Sequence, residues 1–235
     1  MGSLFALAIT GSCLERPRPR PHIRRMNRDK LIDAKTRWAA EGRLLVPQPA
    51  ERRRLPPGQT LVTDWPVLDL GTQPNLRPRD WRLSAGGLVA RPIDWGWDEL
   101  QHLGETESVS DIHCVTQWSR YDNRWGGIRA AALVRRLEPL PTARFVRIRS
   151  FDGYGTTVPL ADFTAEGAML ATHWEGAPLT RAHGGPVRLV IPRLYFWKSA
   201  KWLRHLWFTD RDAPGYWEAR GYHPRGDPWR QERYR

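Results

Sequence analysis

Short alternating runs, broken again and again by glycine and proline, constrain this chain more than any other feature. Apolar and polar residues alternate over residues 81–89, 108–115 and 145–150, the period-2 signature of half-buried strands. Residues 156–160, 169–174, 187–192 and 202–209 read as further strands. Only residues 94–103, entered after Pro92, and 128–137, stopping before Pro139, carry helical spacing. With 20 Gly and 20 Pro in 235 residues, little uninterrupted chain is left for a helical bundle. The pattern predicts an α+β fold with a mixed, mostly-β core and short helices. No internal repeat or heptad is present. The chain uses 13 Trp, most of them between Trp65 and Trp229, so the core must be wide and must offer acceptors to many indole N–H groups.

Charge divides the chain in two. The net charge of +12 brings nucleic acid to mind. Residues 1–60 carry 13 Lys and Arg against 5 Asp and Glu, whereas residues 61–235 carry 24 against 20. The excess therefore belongs to a basic N-terminal arm, expected over residues 1–54 as a partly helical or disordered segment, with the folded domain over residues 55–235. A Pro- and Arg-rich extended linker is expected over residues 43–60. An arm of this kind is more often a solvated segment than a specific reader, which argues against nucleic acid. The mildly basic body still suits an anionic ligand. The apolar run at residues 4–9 is too short for a membrane span and lacks the charged flank of a secretory signal. Arg24-Arg25 is followed by polar Met26-Asn27-Arg28-Asp29, not by an apolar stretch. Residues 1–25 read as upstream of a natural start at Met26, which opens an amphipathic helix, and the expected location is cytoplasmic.

Two cysteines, Cys13 and Cys114, are too few for a disulfide framework. Cys114 closes an apparent strand and opens the polar, aromatic stretch Val115-Thr116-Gln117-Trp118-Ser119-Arg120. A thiol at a strand end faces a cleft. His113 adjoins it, but neighbouring strand residues point to opposite faces, which argues against a Cys–His dyad. A zinc site needs further thiol or imidazole ligands at short spacing, and no second cysteine is near. One thiolate suffices for a metal whose other ligands come from a cofactor. Downstream, Arg181-Ala182-His183-Gly184-Gly185-Pro186-Val187-Arg188 brings His183 and Arg188 to either side of a glycine loop. Trp197-Lys198-Ser199-Ala200-Lys201-Trp202 then places two lysines and a hydroxyl in four residues, a set that suits a phosphate as well as it suits a solvated turn. No Walker-type loop is present.

Taken in order, Cys114, Tyr154-Gly155-Thr156-Thr157-Val158-Pro159, His183 to Arg188 and Lys198 to Trp202 resemble the molybdopterin domain of sulfite oxidases and of the periplasmic methionine sulfoxide reductase catalytic subunit. The ending, Trp217 to His223 and Gly226-Asp227-Pro228-Trp229, resembles a bacterial branch of that family without an assigned substrate. The resemblance runs from about Leu55 to the C-terminus. It implies the sulfite-oxidase-type fold and a Mo-molybdopterin cofactor, with Cys114 as thiolate ligand to the metal. It implies that His183, Arg188, Lys198, Ser199, Lys201 and Ser150 hold the pterin and its phosphate. Tyr154 and Arg120 are the implied catalytic pair, the first near the transferred oxygen, the second near the anion-binding run. Two departures stand out: Arg120 falls one residue beyond the family's arginine, and no anion-binding arginine lies around residues 65–70. The implied activity is oxygen-atom transfer on a small or sulfur-containing substrate, with an external electron donor or acceptor and no membrane span. Two other readings remain open: a basic, non-enzymatic binding protein acting through the N-terminal arm, and a thiol enzyme acting through Cys114 directly.

Overall fold

The computed structural model describes residues 54–235, so the basic arm expected upstream, with its Met26 helix and Cys13, lies outside the described residues. Within them, eleven strands and three short α-helices alternate. The first sheet holds β1 (Thr60–Leu61), β4 (Thr106–His113), β5 (Trp118–Arg129), β8 (Met169–Trp174), β9 (Ala177–Pro178) and β10 (Arg188–Val190). The second runs β3 (Ile93–Trp95), β2 (Leu83–Gly87), β11 (Leu203–Thr209), β6 (Phe145–Ser150), β7 (Gly155–Pro159). The β1–β5 and β2–β11 pairs are parallel and the rest antiparallel. The helices are α1 (Trp97–Gln101), α2 (Ala130–Leu137) and α3 (Leu160–Phe163). This is the mixed, mostly-β α+β architecture that the alternating runs predict. No helix among the described residues is long and apolar enough to cross a membrane.

Local reasons for these elements are legible. In β6 the burial alternates, with Val146, Ile148 and Ser150 inside and Arg147 and Arg149 outside. Helix α2 buries Ala130, Leu133 and Leu137, one stripe at i, i+3, i+7, and ends at Glu138 in the left-handed conformation just before Pro139. The core then runs from Trp65 to Tyr222, with Trp81 and Trp125 fully enclosed.

Three expectations need correction. The helix expected over residues 128–137 starts only at Ala130, because Ile128 and Arg129 finish β5. The polar, aromatic stretch expected after Cys114 is in turn the start of that strand from Trp118 onward. Strand β5 pairs with β4 along most of its length, with β1 at its start and with β8 at its end. Pairing on both edges buries polar Ser119 and Asn123, and a bulge at Gly126 and Gly127 breaks the alternation a strand usually shows. Asn123 is satisfied inside: its amide donates to the carbonyls of Ser110 (3.1 Å) and Arg120 (2.9 Å). The expected linker also ends early. From Arg54 onward the chain is packed, with Arg54 bridging Asp111 (3.0 Å) and Asp122 (2.7 Å) and Gln59 and Thr60 buried.

Candidate active site

The turn between β4 and β5 aims the Cys114 thiol. The Cys114 N–H donates to the Trp118 carbonyl (2.8 Å), and the Cys114 carbonyl accepts from the Gln117 N–H (3.0 Å). Gln117 takes φ 69°, the left-handed position that a three-residue hairpin loop requires. The register of β1 against β5 puts Gln59 beside this turn, and its side-chain amide donates to the Cys114 carbonyl (3.1 Å). Thr116 Oγ1 donates to Cys114 Sγ at 3.1 Å, a bond that favours thiolate over thiol. His113 lies on the other side of the strand, with Nδ1 2.8 Å from Ser119 Oγ, and burial pushes its pKa down to about 4. It is neutral near pH 7 and forms no dyad with Cys114. Among the described residues no cluster of three or more His, Cys, Asp or Glu is placed to hold a metal ion. A metal at Cys114 must therefore take its other ligands from a cofactor or solvent.

Beside the thiol opens a cavity whose lining is largely apolar and aromatic, with a few polar groups converging on it, the make-up usual for cofactor sites. Its walls come from sequence-distant segments: Trp65 to Leu70, the Cys114–Trp118 turn, Asp152 and Tyr154, Phe196 to Trp202, Trp217 and Tyr222. Five tryptophans contribute: Trp65, Trp118, Trp197, Trp202 and Trp217. Trp118 Nε1 is buried there with no acceptor among the described residues, so the wall presents an unused donor.

Arg188 is the strongest electrostatic feature of the wall. It is 1 % exposed, yet no carboxylate lies within ion-pair distance among the described residues. Its guanidinium donates to the carbonyls of His183 (2.8 Å) and Ser199 (2.9 Å) and packs over Phe196 (4.4 Å). Burial pushes its pKa down to about 9. A buried cation held only by neutral carbonyls is a place where an anionic ligand gains most. Lys201 borders the same cavity, its ammonium donating to the Ala182 carbonyl (2.6 Å). Ser199 also borders it, its hydroxyl accepting from the Ile191 N–H (2.9 Å). His183 stacks on Trp65 at 3.9 Å and 13°. The imidazole thus braces a cavity wall from behind, while the His183 carbonyl orients Arg188.

Other residues expected at the site are placed elsewhere. Lys198 is fully buried with its ammonium on Glu218 (2.6 Å) and the Thr157 carbonyl (2.7 Å), away from the cavity lining. Its neighbour in sequence, Trp197, lines the cavity instead, because consecutive residues of that tight turn diverge. Arg120 points out of β5: Nε donates to the Thr63 carbonyl (3.0 Å), and the guanidinium stacks on Trp174 (4.8 Å) and pairs with Glu175 (3.4 Å). Ser150 is buried at the end of β6 outside the lining, its hydroxyl without a partner among the described residues. Tyr154 does border the cavity, but its hydroxyl donates to the Trp197 carbonyl at 2.6 Å. The phenol that sequence reasoning missed is Tyr222, 3 % exposed and on the cavity wall. Burial, with Tyr234 and Cys114 nearby, raises its pKa, so it stays protonated. The one signal for it was its place in the recognised C-terminal run, which carries no spacing to Cys114.

Comparison with known proteins agrees with this geometry. The family model described as "Oxidoreductase molybdopterin binding domain" matches residues 70–217. The chain is 44 % identical over 182 residues to the uncharacterized oxidoreductase YuiH of Bacillus subtilis, covering 77 % of this chain and 92 % of that one. It is 31 % identical over 158 residues to the protein-methionine-sulfoxide reductase catalytic subunit MsrP of Ralstonia nicotianae, covering 60 % of this chain but 47 % of that relative. The fold is similar to the sulfane dehydrogenase SoxCD of Paracoccus pantotrophus, with a TM-score of 0.57 and 20 % identity over 68 % of this chain and 47 % of that one. The reading as a non-enzymatic basic binding protein draws no support from these relatives. The chain belongs to the oxidoreductase molybdopterin-binding domain family: it is an oxidoreductase of the sulfite-oxidase-type fold, and its cofactor is Mo-molybdopterin.

Proposed function

We propose that this enzyme moves one oxygen atom to or from a small, uncharged, sulfur-containing substrate and exchanges the electrons with an external carrier. The observation that carries the reading is Cys114: a thiol held by Thr116 at the wall of a cavity that also contains the unpaired cation Arg188. The cavity suits the cofactor in three respects. It supplies a soft ligand for the metal, a buried cation for an anionic ring system or phosphate, and the unused Trp118 N–H. When bound, the cofactor would supply the metal centre that gains two electrons as it gives up an oxygen atom, or loses two as it takes one, with water balancing the oxygen and the external carrier the electrons.

The protein's own groups do the rest. Cys114 would hold the metal, and the Thr116 hydroxyl would favour its thiolate form. Arg188 would meet the cofactor's anionic parts, and Lys201 and Ser199 would meet its phosphate. Tyr222, on the same wall, would hold a proton for the oxygen that is moved. Arg188 and Lys201 are the basic residues of the lining, and the wall from Trp65 to Leu70 contributes Asp69 where a sulfite-binding arginine would stand. That balance favours an uncharged substrate over sulfite. A sulfoxide is the first to try, since one relative is named a protein-methionine-sulfoxide reductase.

The test is molybdenum content and reductant-driven sulfoxide turnover, on wild type and Cys114→Ser made in a host that synthesises the cofactor. Near-stoichiometric metal in wild type, with metal and turnover lost in the variant, is expected. Wild type that reduces the substrate without molybdenum would instead establish a thiol enzyme.

A further inference from the structure

A second cavity lies on the outer face of the five-stranded sheet, and we propose that it binds the phosphoryl end of a small anionic molecule. It is bordered by Arg147, Arg149, Gly155, Thr157, Gly215 and Tyr216. Strand β6 alternates, so Arg147 and Arg149 stand two residues apart on the same solvent-facing side. Their cross-strand partners are Thr157 and Gly155 on β7 and Trp207 and His205 on β11, so no carboxylate opposes them in the ladder. Among the described residues neither arginine makes an ion pair. Two guanidinium forks side by side match the several oxygens of a phosphoryl group better than the two of a carboxylate.

One further observation points to a ligand. The Tyr216 hydroxyl is buried and has no partner among the described residues, an exception to the rule that buried polar atoms are paired. Arg220 stacks on the Tyr216 ring at 3.7 Å and holds it in place. Gly215 packs tightly on β7, since a Cβ there would lie 2.3 Å from the Gly155 carbonyl oxygen. Behind it Glu218 pairs with Lys198 through Oε1 (2.6 Å), while its buried Oε2 lies on the Gly215 side, so the two arginines must outweigh it.

Next to Arg147 lies a flat aromatic surface. Trp207 is 46 % exposed, and its ring lies over Gly86, where a Cβ would come within 3.2 Å of it. His205 stacks beside it at 25°. One face of the indole is therefore supported and the other open, the arrangement on which a planar ring stacks. The phosphoryl group belongs either to a free oxyanion or to a nucleotide-like molecule whose base lies on Trp207.

Isothermal titration of the cofactor-loaded enzyme with inorganic pyrophosphate and with adenosine monophosphate tests this. Saturable one-to-one binding is expected, weakened about tenfold or more in R147Q/R149Q and less in Tyr216→Phe. Both arginines are exposed, so an unchanged melting temperature serves as the folding control. Tighter binding of the nucleotide, with the gain lost in Trp207→Ala, supports the nucleotide source. Equal binding of both probes, indifferent to Trp207→Ala, supports the free oxyanion. No saturable binding overturns the proposal, as does binding that survives R147Q/R149Q or binding of polyglutamate in place of both probes. None of these outcomes depends on the oxygen-transfer reading.

Discussion

Tyr154 and Tyr222 both border the cofactor cavity, and their hydroxyls are placed for different work. The Tyr154 hydroxyl is committed to the Trp197 carbonyl, so it fixes the wall that Trp197 forms. Tyr222 lies where the charge of Cys114 reaches it. We expect Tyr222→Phe to lower kcat about 100-fold at unchanged molybdenum content. Tyr154→Phe should cost roughly 1 kcal/mol of stability with little change in kcat. A larger kcat loss in Tyr154→Phe than in Tyr222→Phe would reverse the assignment. The sequence made Tyr154 the better candidate, because it sits in a recognisable motif. A hydroxyl's commitment to a backbone carbonyl 43 residues away leaves no mark in the sequence. Cys114 was different: a lone thiol at a strand end carries its chemistry in its own residue type.

At the scale of elements, the turn after Tyr195 shows how a motif splits. Lys198 and Lys201 look equivalent in Lys198-Ser-Ala-Lys201, yet one anchors the fold and the other faces the cavity. Lys198→Met leaves Glu218 buried without its cation and is expected to destabilise by about 3–5 kcal/mol. Adding Glu218→Leu should recover much of that loss. Urea unfolding of both variants decides it, and a double variant as unstable as the single one would deny the pair this role. Strand β11 carries a pH signal. Burial, with Arg204 and Arg149 nearby, holds the His205 pKa below its ordinary 6.5, and Ser84 Oγ meets its Nδ1 at 2.6 Å. Below that ordinary value the unfolded chain takes up a proton that the folded chain resists, so stability falls as pH drops from 6.5 toward the lower folded pKa. Melting temperatures between about pH 7.5 and 5 should fall less steeply for His205→Asn than for wild type. Parallel slopes would remove His205 from the account. Strand β6 was readable because one face is buried and the other wet. Strand β5 was not, because partners on both of its edges buried its polar residues.

Across the whole molecule the cavity gathers sequence-distant segments from Trp65 to Tyr222. A ligand that touches all of them binds only the folded state, so the loaded enzyme should melt several degrees above the cofactor-free protein. Scanning calorimetry on both forms checks this, and coincident melts would mean that the cofactor does not bridge those walls. The sequence by itself determined the mostly-β character, through runs of period 2 and frequent Gly and Pro. It also marked Cys114 and the glycine loop with Arg188 as candidates, through the order of motifs that resembles the family. Only the tertiary structure decided which of two lysines borders the cavity and which of its two tyrosines has a hydroxyl tied to a backbone carbonyl. It alone put a second set of arginines around an unpaired phenol on the opposite face of the sheet. Periodicity reports which side of a strand is buried, a property of neighbours in the chain. The partner of a hydroxyl or an ammonium depends on groups tens of residues away, and that proximity exists only once the sheets have closed around the core.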